Sequence, residues 1–330
     1  MNKYIFFIYL FFTSYLTAYT QKCASPLVDN FTKTKFSDAL HLDKTEINSE
    51  YKSYAVRNFT TSNTDLDVIQ FQLIVSDNGA SFYVEVEEIL KGNIDIDVVN
   101  ELHADFTSSI YSVDNNNLFY GIKSAEENML GSPPLINDKA DVNVLFMDIR
   151  DGYNGSGEYM AGFFDPQDQF LCIFEDNDLS YWLPESNENN CNSPYEWISN
   201  GNGENIIYID TNPSSISQSS YDDILFTIAH EYQHLLHWNS DKKEGYFGSS
   251  ISGWQFHNPW LNEGLSDLMP SILGIGKRDF TPFLNNTLIG LDEWPDPTEN
   301  STLAYYSKSA LFLEYLYITV GIDAIKDIFK

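Results

Sequence analysis

The sequence predicts an α+β chain, and three observations predict it. Short segments rich in β-branched and aromatic residues are gathered in the first two-thirds of the chain. Apolar residues at helical spacing dominate the last third. The composition, 43% hydrophobic and 20% charged over 330 residues, supplies a core for one large domain, or one plus a small one.

Lys3 precedes an apolar run from Tyr4 to Leu16, and small residues follow at Thr17-Ala18. This is the pattern of a secretory signal peptide cleaved near Ala18 or a little beyond, which assigns residues 1–20 to the signal and the rest to an exported, extracellular protein. The alternative is a retained anchor helix, although the run is short for a membrane span and no later stretch is long and apolar enough to be one. Lys22 stands where a lipidated Cys23 would need a small residue. Residues 21–78 read as a propeptide or a small β module, and residues 79–330 as the main domain.

Asp67–Val75 reads as a strand, Asn78-Gly79 as a hairpin turn, and Ser81–Ile89 as a second, alternating strand at or near a sheet edge. The period then changes. Val98, Leu102, Phe106 and Ile110 fall at helical spacing over Asp95–Tyr111, with Asp95 or Asp97 as cap. Leu118–Leu130 is expected as a second helix, stopped by Gly131-Ser-Pro-Pro134. Val142–Ile149 is apolar enough for a strand buried on both faces. Glu158–Phe164 and Ile206–Asp210 are further strands.

Asp165, Asp168, Glu175, Asp176 and Asp178 form an acidic stretch without the ordered spacing of an EF-hand calcium loop, and read as a solvated loop. Cys172 and Cys191 could pair in an oxidising compartment, Cys23 would stay single, and none of the three has metal spacing. Asn30 and Asn58 open glycosylation sequons. With 48 acidic against 18 basic residues, the net charge of −30 argues against nucleic acid or an anionic membrane as the main partner.

The most specific stretch is Tyr221–Trp238. Ser220 and Asp223 have capping-box spacing, and Asp222 and Asp223 suit the positive end of a helix dipole. Within this helix lies His230-Glu231-Tyr232-Gln233-His234. Two histidines four residues apart project from one face, about 40° apart around the axis, and can share one metal ion; Glu231 reaches the same cleft. Of six histidines in the chain, His230, His234 and His237 share this helix face.

A second helix, opened by Asn258-Pro259 and limited by Pro270, carries Glu263 and Asp267 four residues apart on one face. One carboxylate can bind the metal and the other can accept the free ring N–H of a ligating histidine. His237 reads as a structural residue, because Leu235-Leu236-His237 supplies no glycine turn for a three-histidine site. His257 reads as a loop residue or part of the cleft lining.

At these residues the chain resembles the gluzincins, zinc peptidases with two histidines and a glutamate as ligands. Asn262-Glu263-x-x-Ser266-Asp267 is similar to the thermolysin third-ligand pattern. Ala161–Pro166, Ile207–Asp210, Ala229–Trp238, Trp260–Asp267 and Tyr306–Leu313 resemble the hyicolysin-like metallopeptidases, over roughly residues 80 to 330.

The resemblance implies a zincin-like fold, with a twisted mixed sheet over the active-site helix and a mainly helical C-terminal part. It implies one catalytic zinc ion held by His230, His234 and Glu263, with Asp267 behind the ligands. It also implies hydrolysis of protein or peptide substrates by a metal-activated water, with Glu231 as general base and Tyr306 as oxyanion donor. Tyr305 competes with Tyr306, and the spacing Leu303, Tyr306, Ala310, Leu313 also suits a core face. Glu158–Phe164 is the candidate strand for pairing with an extended substrate. The rival readings are a non-catalytic exported surface module and a metal-dependent amidase acting on cell-wall peptides.

Overall fold

The computed structural model describes residues 21–23, 50–60, 66–114, 117–136, 138–169, 173–176, 179–182, 196–199, 202–243, 258–295 and 302–328. The residues expected to form a signal peptide, Cys172, Cys191, Asp178 and His257 lie outside them.

In chain order the strands are β1 Gln21–Cys23, β2 Tyr51–Arg57, β3 Leu66–Asp77, β4 Ala80–Glu85, β5 Ile110–Asp114, β6 Asn117–Tyr120, β7 Val142–Met147, β8 Tyr159–Phe163, β9 Ile173–Asp176, β10 Leu179–Trp182, β11 Glu196–Ser199 and β12 Asn205–Asp210. The helices are α1 Val86–Lys91, α2 Ile96–Thr107, α3 Gly121–Leu130, α4 Tyr221–Lys243, α5 Pro259–Ile272, α6 Thr281–Leu284, α7 Leu303–Val320 and α8 Ile322–Ile328. The architecture is α+β, as the sequence predicts.

Seven strands form one mixed sheet in the order β1-β8-β12-β7-β4-β3-β2. Its centre is parallel: β7 pairs in parallel with both β4 and β12. Every residue of β7 and β12 is buried, because both sheet faces are covered. The alternation of the pleat divides the core. Val144, Phe146, Ile207 and Ile209 face the helical side with Phe82, Phe106, Ile228 and Leu268, while Leu145, Met147, Ile206 and Tyr208 face the other with Tyr54 and Phe71.

Four local expectations are corrected. The helix expected over Asp95–Tyr111 ends at Thr107, and Ile110 opens β5, exposed rather than on the helix's apolar face. The strand beginning at Ser81 stops at Glu85, and Val86–Lys91 turns helical, ended by Gly92 in the left-handed region at φ 77°. Residues 118–120 belong to β6, paired with β5 in a hairpin, before α3 begins at Gly121. Pro270 does not end α5, which continues to Ile272. In addition, β2 lies in a stretch whose sequence showed no clear period; it pairs with β3 and so extends the hairpin into the main sheet. The Asn78-Gly79 turn has positive φ at both residues, 53° and 74°, as a tight hairpin turn requires.

Helix α2 is capped by the Asp95 side chain, which accepts from Asp97 N at 3.0 Å. The Ser220 hydroxyl instead turns back to donate to the Ser215 carbonyl at 2.5 Å, closing the loop that delivers the chain to α4. Helix α4 is then pinned by α2 and α3. Tyr232 packs edge-on to Phe106 at 5.0 Å and its hydroxyl donates to Glu127 at 2.8 Å. No helix among the described residues is long and apolar enough to cross a membrane.

Candidate metal centre

Helices α4 and α5 pack against each other, and α5 packs in turn on α7. That second contact is close because position 264 is glycine: a Cβ there would lie 2.9 Å from Leu313 Cδ1 and 3.0 Å from Ser309 Cβ. The packing brings Glu263, from α5, to the two histidines of α4. Nε2 of His230 and of His234 are 3.1 Å apart, and Glu263 Oε2 lies 3.3 Å from the first and 3.5 Å from the second. All three residues are buried.

These distances fit a metal ion. A tetrahedral zinc with bonds of about 2.0–2.1 Å holds its ligand atoms about 3.3 Å apart. The donor set also demands a cation. Both Glu263 oxygens are buried, and neither has a donor in hydrogen-bonding geometry among the described residues. Three lone-pair-bearing atoms converging in a buried site repel one another unless a proton or a metal lies between them.

Each histidine is oriented from behind. His230 Nδ1 donates to Asp267 Oδ1 at 2.9 Å, which leaves Nε2 facing the cluster. Asp267 is itself held by Arg278, whose Nε and Nη2 donate to its two oxygens at 2.9 and 2.6 Å. His234 Nδ1 lies 3.0 Å from Ser266 Oγ, and the Ser266 hydroxyl is hydrogen-bonded to Gln233 Oε1. One imidazole therefore leans on a carboxylate and the other on a hydroxyl.

The electrostatics follow from these contacts. Burial alone would depress His230, but the Asp267 and Glu263 carboxylates outweigh it and raise it to about 10. Burial opposes ionisation of Glu263, yet the two histidines hold it below the ordinary carboxylate value. Asp267 is likewise held low against burial, by Arg278 first and then His230.

Glu231 is buried on α4 beside His230, beneath β8. Gly162 of β8 makes that closeness possible, since a Cβ there would come 3.0 Å from Glu231 Cγ and 2.8 Å from Thr227 Cγ2. Tyr306 is buried on α7, its ring 5.0 Å from that of Trp294 and 5.4 Å from the Arg278 guanidinium, so it reaches the centre's surroundings through Arg278. Tyr305 packs on Trp294 at 6.2 Å and under Lys308 at 5.0 Å. His237 turns to Asn262, with Nδ1 2.9 Å from Oδ1, and stands outside the three-residue cluster.

Two acidic residues are placed differently from the solvated loop expected of them. Asp165 is buried and paired with Arg57 at 2.5 Å; Asp168 is buried and accepts from Tyr208 at 2.7 Å and from Asn202 at 2.6 Å. Arg278, Gln233 and the supporting role of Ser266 escaped the sequence reading. Arg278 lies in a loop with no periodic signal, and Gln233 occupies a position that a metal motif leaves free. Ser266, one residue before Asp267, carried the one usable hint.

Two buried imidazoles and a carboxylate converge on one point, a group that could hold a metal ion, and a further glutamate lies next to the first histidine, as in centres that metal-dependent hydrolases use. Comparison with known proteins agrees with that class. The chain is 28% identical over 112 residues to the neutral metalloprotease ShpI of Staphylococcus hyicus, a match that takes in 33% of this chain and 20% of that protein. This supports a relationship to metalloproteases. No protein-family model matches the chain.

Proposed function

We propose that the protein is a secreted zinc-dependent endopeptidase of the gluzincin type, with a zincin-like fold in which β8 runs along the cleft above α4. The observation that carries the reading is the convergence of His230, His234 and Glu263 at 3.1–3.5 Å with Glu231 alongside. The similarity to a neutral metalloprotease points the same way.

His230, His234 and Glu263 would hold zinc, which supplies Lewis acidity toward the scissile carbonyl and acidifies a water molecule. Glu231 takes the proton of the attacking water and passes it to the departing amine nitrogen. Asp267 and Ser266 keep the two imidazoles from rotating, so the ligand atoms stay aimed at one point. Tyr306 donates toward the carbonyl oxygen as charge develops on it, a role its position beside Arg278 supports.

The test is direct. The purified protein should carry one zinc per chain and cleave casein. Glu231→Gln should keep the metal and lose about 10²–10⁴-fold in kcat. A wild-type protein without metal at neutral pH, or a Glu231→Gln variant as active as wild type, would sink the reading.

A further inference from the structure

Strand β8 has two edges. One is committed to β12; the other is taken by the chain's own Gln21–Cys23. The pairing is parallel, Gln21 with Tyr159, Lys22 with Met160 and Cys23 with Gly162, and its register slips between Lys22 and Cys23 so that Ala161 is passed over. At Gly162, β8 passes close to Glu231. The segment therefore lies on the edge directly above the turn of α4 that carries Glu231 and His230.

An extended peptide bound by main-chain pairing uses the same row of N–H and C=O groups that an intramolecular strand uses. Both cannot occupy one edge. The described pairing is broken in register between Lys22 and Cys23, so the ladder is interrupted there. A peptide that pairs in continuous register along β8 makes a ladder without that break.

We propose that Gln21–Cys23 is a built-in placeholder for the substrate: the chain covers its own peptide-binding edge, and a substrate gains access by displacing the segment. This rests on the peptidase reading above and adds a regulatory step to it. The device costs no rearrangement of the metal centre, because Glu263, His230 and His234 are held by α4 and α5 alone.

The experiment uses the full zinc-loaded chain carrying Glu231→Gln, with fluorescein-labelled casein as probe. In the further double variant Lys22→Pro/Cys23→Pro, neither residue can donate to the ladder. Casein should then bind about ten-fold more tightly. Amide hydrogens of residues 159–163 should exchange faster in the double variant without casein. In the parent, saturating casein should speed exchange at residues 21–23 while residues 159–163 become slower. With Glu231 restored, KM for casein should fall and kcat should stay the same.

Equal casein affinity and equal exchange at residues 159–163 with and without the two prolines would overturn the placeholder, even if the protein binds zinc and cleaves casein. A protein that does neither of those refutes the peptidase reading instead. Exchange at residues 21–23 in the parent reports the pairing independently of whether the double variant folds well.

Discussion

Two polar clusters, one buried and one partly so, lie on opposite faces of the central sheet, and they are completed in different ways. On the face of Tyr208, Asp165 accepts from Gln167 N and Arg57, Asp168 accepts from Tyr208 and Asn202, and Glu204 is met by Lys52, Tyr54 and Asn143. Every oxygen of these three carboxylates has a protein donor. On the helical face Glu263 is equally buried, and neither of its oxygens has one among the described residues. A buried polar group satisfied by the protein itself specifies structure. A buried carboxylate left facing two imidazole nitrogens makes a place where a metal ion could take over from a proton. The same distinction disposes of the acidic stretch around Asp168: its described buried carboxylates are already in use.

This contrast can be broken. Arg57→Met should give the largest effect on stability, about 3–5 kcal/mol of destabilisation, because it leaves Asp165 buried without its cation. Zinc stoichiometry should be unchanged. Thermal unfolding alongside metal analysis checks both, and loss of zinc in this variant would show that the two clusters are not independent.

Asp267→Asn should act the other way round. Its expected loss is about 10–100-fold in zinc affinity, since His230 keeps a partner but not a charged one. Competition with a chelator of known affinity measures it. Ser266→Ala should cost less, about ten-fold at most, because His234 leans on a neutral hydroxyl. If the serine variant lost more than the aspartate variant, the ranking of the two supports would be wrong.

The smallest effect is a proton. In the metal-free protein the folded-state value of His230, about 10, stands above its ordinary 6.5. Its contribution to metal-free stability is therefore complete below about 6.5 and disappears as pH rises through about 10. Metal and proton compete for Nε2, so zinc uptake near neutral pH should release about one proton and apparent affinity should climb with pH up to that value. Calorimetric titration in buffers of differing ionisation heat counts it; zero proton release would mean that His230 is neutral in the free protein.

How much of this was legible in the sequence depended on the range of the interaction. The buried strands β7 and β12 and the capped α2 announce themselves through local composition and spacing. So does helix α4, because His230, Glu231 and His234 sit within one turn and a half. Glu263 and Asp267 could be picked out because they, too, are neighbours on one helix. What could not be read were contacts between distant segments: Arg278 reaching Asp267, Arg57 burying Asp165, and β2 joining the sheet. The false continuation of β4 past Glu85 has a local cause. Val86, Glu87, Glu88 and Ile89 satisfy an alternating pattern nearly as well as a short helix, and Gly92 decides in favour of the helix.

The close approach of α5 to α7 at Gly264 carries a consequence for how the molecule is assembled. It ties Glu263 to the C-terminal helices, whereas both histidines belong to α4. A metal ion at this centre is therefore a cross-link closing a loop of roughly thirty residues, for which chain entropy alone gives about 3–4 kcal/mol of restraint on the unfolded state. Chelation would remove that restraint and leave the docking of α5 on α4 to side-chain packing and to the hydrogen bonds of His230, Gln233 and His237 with Asp267, Ser266 and Asn262.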